Sequence, residues 1–395
     1  MHIAWLGKKS PFCGNVTYSR EVTNALLDRG HQVSFFHFAS EDGVAELPAN
    51  GAQASSEGWP DCPEVPIPCL YKSTIYTIPT LSSSKVLARS LHSLQPDLVH
   101  ASLTLSPLDF LLPEICQDLH LPLVATFHPA FDRKLRNFSS GTQQLTYQLY
   151  APCLANYDKT IVFSQMQREI LIKLGVPEYK VVVIPNGVDA LKYSPGPSSI
   201  KQQLQAERLF LYQGRIAIEK NVESLLKAWR MADLGSGCKL AIVGTGPLQT
   251  ALRASYGAEQ GIVWLGFIGD EQRRIEILRG TDVFILPSFV EGLSLSLLES
   301  MACGTACLAT DVGADGEVLE KGAGVILNAN RVTTELQTLL PLFRDHPELS
   351  IMLGQKARQR VLERYTLNRN ISQVEQLYDE VIEQSNDASY RSLVN

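Results

Sequence analysis

The stretch VFILPSFVEGLSLSLLESMA, residues 283–302, decides how the chain is read. Val283–Leu286 is a short apolar run, as a strand buried on both faces requires. A loop follows, and Ser294–Ala302 then carries a helical pattern. One carboxylate, Glu291, lies in the loop, and a second, Glu299, lies in the otherwise apolar helix. Glu299 needs a partner there, because an unpaired buried charge is costly. A ribose diol would supply one; solvent or a neighbouring Arg or Lys is the plainer alternative.

The same grammar runs outward in both directions. Apolar runs rich in Val, Ile and Phe predict strands at Ile3–Leu6, Gln32–Phe38, Leu98–Ala101, Leu123–Phe127, Thr160–Phe163 and Val181–Ile184. After a Pro/Gly-rich break at residues 185–197 the pattern starts again, at Leu209–Gln213, Lys239–Val243, Ile262–Leu265, Val283–Leu286 and Ala306–Ala309. Amphipathic stretches lie between the runs, and residues 331–392 read as helical throughout. Strand–helix alternation of this kind predicts an α/β chain of two doubly wound, Rossmann-like parallel sheets. Two such domains leave a cleft as the expected site, with its chemistry in loops that follow strands. Residues 41–81, rich in Pro, Ser and Gly, interrupt the pattern and read as a long excursion with one strand around Tyr71–Tyr76.

Composition narrows the class. The chain has 395 residues, eight cysteines, no C-x-x-C pair and a formal net charge of −6. Scattered cysteines argue against a disulfide scaffold or a zinc ribbon and favour a reducing compartment. The acidic balance argues against nucleic acid as a partner. No run of 18 apolar residues suggests a membrane span, and the opening reads as a strand and not as a leader.

Four post-strand loops can carry chemistry. Gly7 to Asn15 brings Gly14 and Asn15 to a helix start, where backbone N–H groups can meet an anion; an ordinary glycine turn is the alternative. His128-Pro129 ends a strand, so His128 can face a ligand or serve as a satisfied structural histidine. Gly214-Arg215 to Lys220 sets two cations five residues apart, suited to one phosphate group or to plain solvation. Glu291-Gly292-Leu293-Ser294 and Glu299 can grip hydroxyls.

Together, in this order, these elements resemble the retaining glycosyltransferases of family 4, which have the GT-B fold. The resemblance rests on Glu291 to Glu299 (E-x7-E), Arg215 to Lys220 (R-x4-K) and the turn Ile184-Pro185-Asn186-Gly187-Val188-Asp189. It implies a sugar-nucleotide donor, with Arg215 and Lys220 neutralising its diphosphate and Glu299 holding its ribose. Glu291 and the backbone of Gly292, Leu293 and Ser294 would hold the sugar. His128 would lie near the reaction centre, and Gly14, with Asn15, against diphosphate or sugar. It implies an acceptor domain at 1–187, a nucleotide-sugar domain at 188–370 and a last helix, 371–395, crossing back to the first domain. The family's Gly-Gly loop is Cys13-Gly14-Asn15 here, and its Gly-Gly-x-Pro-Glu element is Val312-Gly313-Ala314-Asp315-Gly316-Glu317. No D-x-D motif occurs, so no metal or other cofactor is expected, and same-face attack guided by the leaving phosphate is the implied route to retention.

Residues 2–18 and 99–110 are similar to cyanobacterial digalactosyldiacylglycerol synthases. This implies transfer of galactose from UDP-galactose to monogalactosyldiacylglycerol, at the cytoplasmic side of a thylakoid or plasma membrane. Phe131 to Phe138, with Arg133, Lys134 and Arg136, would touch that membrane or line the acceptor cleft. A family 4 enzyme using UDP-glucose or GDP-mannose on a different lipid or soluble acceptor, and a non-catalytic sugar-nucleotide-binding subunit, remain as alternatives.

Overall fold

The computed structural model describes residues 1–11, 13–40, 59, 61–73, 75–130 and 138–394. The expected membrane patch at Arg133, Lys134 and Arg136 lies outside these residues, as does much of the 41–81 excursion. Two compact units form. The first takes the described residues up to 129, then 141–185, and 368 onward; the second takes the described residues within 130–140, and 186–367.

The first unit holds an eight-stranded sheet: β1 (His2–Gly7), β2 (Gln32–Ser40), β3 (Glu64–Lys72), β4 (Thr77–Pro79), β5 (Leu98–Ser102), β6 (Leu123–Thr126), β7 (Lys159–Val162) and β8 (Val181–Val183). Its order is β4-β3-β2-β1-β5-β6-β7-β8. All pairs are parallel except β3 with β4. The strand expected around Tyr71–Tyr76 is thus corrected to a hairpin. Its strands end at Lys72 and restart at Thr77, and Ser73 N–H donates to the Tyr76 carbonyl across the turn at 2.9 Å. Helices Pro107–Asp118 and Gln165–Lys173 were not foreseen. The first is well specified locally, with Ser106 as N-cap, Pro107 at N1 and Asp109 completing a capping box.

The second unit holds β9 (Arg208–Gln213), β10 (Cys238–Val243), β11 (Ile262–Gly266), β12 (Val283–Leu286), β13 (Ala306–Thr310) and β14 (Val325–Leu327). The order β11-β10-β9-β12-β13-β14 is wholly parallel. Leu209–Tyr212 and Val283–Ile285 are fully buried, so the apolar runs do mark the central strands. β14 escaped notice because it is three residues long and only Leu327 of it is buried.

The tail forms three helices, Val332–Asp345, Pro347–Arg364 and Leu367–Val394. The last belongs to the first unit almost entirely. There the Tyr378 hydroxyl meets His100 Nδ1 at 2.6 Å, Glu375 pairs with Arg29 and His31, and Asn370 Nδ2 donates to the Pro185 carbonyl at 2.6 Å.

Candidate active site

In each sheet the strand order reverses once beside a central strand, between β1 and β5 and between β9 and β12. Loops leaving the carboxyl ends of such neighbours diverge and leave room for a ligand. Every site residue proposed from the sequence lies at or next to one of these two points.

In the second unit, β9 and β12 pair at Phe210–Val283 and Leu211–Phe284, which brings their outgoing loops together. Lys220 Nζ donates to Glu291 Oε1 at 2.6 Å, and Ser288 Oγ donates to the same oxygen at 2.7 Å. Glu291 is 8% exposed, so its charge depends on these partners. Arg215 pairs with Glu219 and is the more exposed cation, at 46% of its side chain against 21% for Lys220. Both cations of the R-x4-K pair are therefore neutralised by the chain's own carboxylates. Gln213 Nε2 donates to Glu299 Oε2 at 3.1 Å, and Glu299 is half-buried. Gly214 leaves β9 with its N–H on the Val243 carbonyl, 3.0 Å away, and a Cβ there would sit 2.9 Å from the Tyr212 hydroxyl.

A second loop locks the first. Ala314 N–H donates to the Gly292 carbonyl at 2.7 Å, and Ser294 N–H donates to Asp315 Oδ1 at 2.9 Å. Ser294 Oγ caps its own helix through Leu297 N–H. The Ser294 backbone donor, expected to be open to a sugar, is thus already used. Asp315 is fully buried, and its Oδ2 has no partner. Burial, and next the negative charge of Glu291, hold its carboxyl well above the usual range. Sequence reasoning gave Asp315 no role, because its partner, Ser294, lies on another segment.

In the first unit, Gly14 opens helix Gly14–Asp28, and Asn15 Nδ2 donates to the Leu103 carbonyl beyond β5 at 2.9 Å. Ser102 Oγ donates to Asn15 Oδ1 at 3.0 Å and meets His128 Nε2 at 2.8 Å. With the Ser102 hydrogen assigned to Asn15 Oδ1, Ser102 accepts from His128, so the imidazole proton is assigned to Nε2 and Nδ1 is left as an acceptor. The ring lies edge-on to Tyr18 at 5.0 Å and beside Phe163 at 5.2 Å. Burial, then the positive charge of Lys8, pushes His128 down to about 3, so it is neutral at ordinary pH. Ser102 was missed because it follows the strand expected at Leu98–Ala101, with no spacing to join it to His128.

Beneath this cluster, His100 stacks on Trp5 at 4.0 Å and bonds Tyr378 and Thr126. Burial, followed by the charge of His128, pushes it down to about 3. A histidine whose folded pKa lies below its unfolded value, near 6.5, supports the fold above about pH 6.5 and loses that support as pH falls toward 3. Between pH 7 and 5 this is worth about 2 kcal/mol. Urea titrations of wild type and His100→Gln at both pH values are expected to show an acid-side loss larger by about that amount in wild type. Equal losses would mean that His100 does not titrate as buried.

Gly14 offers a clean probe, since a Cβ there meets nothing within 4 Å. Gly14→Ala is expected to hold the melting temperature or raise stability by up to about 1 kcal/mol. It should nonetheless raise a substrate KM about tenfold if the backbone lies against a ligand. Unchanged KM values would remove Gly14 from the site.

Two Rossmann-like units, each with polar residues gathered at its switch point, define a GT-B architecture. Residues 13–190 match the family model Glycosyltransferase Family 4, and residues 198–360 match Glycosyl transferases group 1. The chain thus carries one match in each half, both to models named for glycosyl transferases, on a GT-B fold. It is 26% identical over 244 residues to the Escherichia coli UDP-Gal:alpha-D-GlcNAc-diphosphoundecaprenol alpha-1,3-galactosyltransferase, over 58% of this chain and 60% of that protein. It is 27% identical over 280 residues to the Mycobacterium tuberculosis glycogen synthase, over 68% of this chain and 65% of that one. The matched segments thus span less than two thirds of these relatives. Among solved structures, Anabaena HepE in complex with UDP has a TM-score of 0.73 at 17% identity, over 96% of this chain and all (100%) of that one. Sucrose-phosphate synthase from Thermosynechococcus elongatus has 0.72 at 21%, over 97% and 100%.

Proposed function

We propose that this protein transfers a hexosyl group, with retention, from a UDP-sugar to a glycolipid, as in galactose transfer from UDP-galactose to monogalactosyldiacylglycerol. The observation that carries the transferase reading is the Lys220–Glu291 contact at the β9/β12 switch point, with Arg215 of the same loop paired to Glu219. A nucleoside diphosphate leaving group gains about one negative charge, and fixed cations lower that cost. Lys220 and Arg215 would exchange their internal carboxylates for the donor's phosphates, which frees Glu291 to accept from sugar hydroxyls. Glu299, steadied by Gln213, would hold the ribose diol. In the first unit, the neutral His128 offers Nδ1 to a substrate hydroxyl. Because the chain supplies its own cations, the reaction is proposed to need no metal.

The lipid acceptor finds support in the names of relatives. The Escherichia coli galactosyltransferase acts on a diphosphoundecaprenol, and a Mycobacterium tuberculosis relative, 30% identical over 43% of this chain, is a phosphatidylinositol dimannoside mannosyltransferase. The test offers UDP-galactose, UDP-glucose and GDP-mannose with monogalactosyldiacylglycerol in mixed micelles, with and without chelator. Digalactosyl product from UDP-galactose alone, with the α-linkage by NMR, supports the reading in full. No transfer to this acceptor would remove the galactolipid reading, and no hydrolysis of any donor as well would leave a sugar-nucleotide-binding subunit. An inverted anomer would remove the retaining route, and loss of activity in chelator with recovery in Mg²⁺ would remove metal independence.

A further inference from the structure

The outer edge of the first sheet carries an unusual surface. In the 12 residues from Leu70 to Leu81 stand six large apolar side chains at high exposure: Leu70 (73%), Tyr71 (50%), Ile75 (61%), Tyr76 (44%), Ile78 (40%) and Leu81 (100%). Scattered exposed apolar residues need no explanation, but a dense set of them does. The hairpin gathers them. Tyr71 pairs directly with Ile78 across β3 and β4, which puts both side chains on one face, and the Tyr71 and Tyr76 rings lie 5.6 Å apart.

The charge around them is one-sided. Residues 65–96 contain no Asp or Glu, whereas the whole chain has a net charge of −6. Their cations are Lys72, Lys85 and Arg89. In helix Ser83–Leu94, Lys85 and Arg89 are exposed one turn apart, with exposed His92 next in the stripe, while Ser83, Leu87 and Leu91 form the buried stripe. The helix start is tied to β3, since the Pro68 carbonyl accepts from Ser83 Oγ at 2.6 Å and from Thr80 N–H at 3.3 Å.

The hairpin tip also adjoins the first switch point. Buried Lys8, just past β1, donates to the Ser73 carbonyl at 3.1 Å. Lys72 donates to Ser10 Oγ at 2.8 Å, and Thr77 N–H to the Leu105 carbonyl beyond β5 at 3.4 Å. The apolar surface is therefore held by the loops that follow β1 and β5, next in sequence to Gly14, Asn15 and Ser102.

We propose that the β3–β4 hairpin and the cationic stripe of helix Ser83–Leu94 form a docking surface for an anionic lipid bilayer. Tyrosines with aliphatic neighbours suit the boundary between headgroup and acyl chain, where the ring is buried and the hydroxyl stays wet. Lys85 and Arg89 face the headgroups. A soluble anionic protein would match the cations but leave the six apolar side chains unexplained; an uncharged apolar partner would match the reverse. The surface would bring the enzyme to its lipid acceptor, so the proposal rests on the glycolipid reading above, but its test does not use the reaction.

Purified full-length protein is mixed with sucrose-loaded vesicles of phosphatidylcholine alone or with 40 mol% phosphatidylglycerol, an amount of about the order that gives a strong surface potential. Strong co-sedimentation with anionic vesicles only is expected. Lys85→Gln with Arg89→Gln should weaken partitioning about 30-fold at low salt, at roughly fivefold per cation. Tyr71→Ser, Ile75→Ser and Tyr76→Ser together should weaken it about tenfold or more at any salt. Melting temperature and hydrolysis of the nucleotide sugar in solution should stay at wild-type values in both variants. Equal sedimentation of variants and wild type, or no binding of wild type, would overturn the proposal. So would a concentration-dependent dimer that the serine variant abolishes, since the surface would then be a contact between copies. Anionic-vesicle binding without digalactosyl product would uphold this surface while overturning the proposed acceptor.

Discussion

Replacing Lys220 by alanine is expected to lower the rate of sugar transfer by about 10²–10³-fold, in kcat and kcat/KM together. Charge on the leaving diphosphate grows as the glycosidic bond breaks, so a fixed ammonium works most strongly in the transition state. Lys220 also has a structural duty, because its loss leaves Glu291, 8% exposed, with Ser288 as its remaining side-chain donor. That should cost about 1–3 kcal/mol of stability. The two effects separate in a double-mutant cycle. Glu291→Gln on the Lys220→Ala background removes the stranded charge and should restore most of the lost stability. It should restore none of the activity. Lys220→Ala within threefold of wild type would show that the cation serves the fold alone.

The parts of the molecule that were legible share one property: their signal is local. Leu209–Tyr212 and Val283–Ile285 could be read as central strands because a strand covered on both faces must be apolar at every position. The R-x4-K and E-x7-E loops could be read because each follows such a strand, and the strand order then places them side by side at β9 and β12. The β3–β4 hairpin could not. Its first strand, EVPIPCLYK, carries two prolines and buries only Ile67 and Cys69, so it lacks the continuous apolar run of its neighbours. Ser102, Lys8 and Asp315 were illegible for another reason. Their partners, His128, Ser73 and Ser294, lie on other segments, and no spacing rule joins them.

The loop at residues 312–315 can be tested with two substitutions that pull apart shape and charge. Gly313 has φ +57, and a Cβ there would lie 2.2 Å from the Glu291 carbonyl oxygen and 2.4 Å from that of Gly292. Both oxygens are backbone, so the 291–294 loop must shift to make room. Gly313→Ala should therefore cost about 2–4 kcal/mol, from the left-handed conformation and the clash. A shift of the order of 1 Å in a positioning loop should cut transfer about 10²-fold, read in kcat on the soluble donor. Asp315→Asn keeps the shape, since a carboxamide oxygen can still accept from Ser294 N–H. The Asp315 carboxyl is raised by burial, so ionising it costs the fold more than the unfolded chain. That penalty is absent below the unfolded pKa near 4 and grows as pH rises. Asp315→Asn should then match wild type in stability near pH 4 and exceed it at pH 8, in urea titrations at the two values. Wild type gaining stability relative to Asp315→Asn as pH rises would instead mean an ionised carboxylate favoured by the fold. In that case Asp315 would sit beside Glu291 as a second negative charge, and Lys220 would have to balance both.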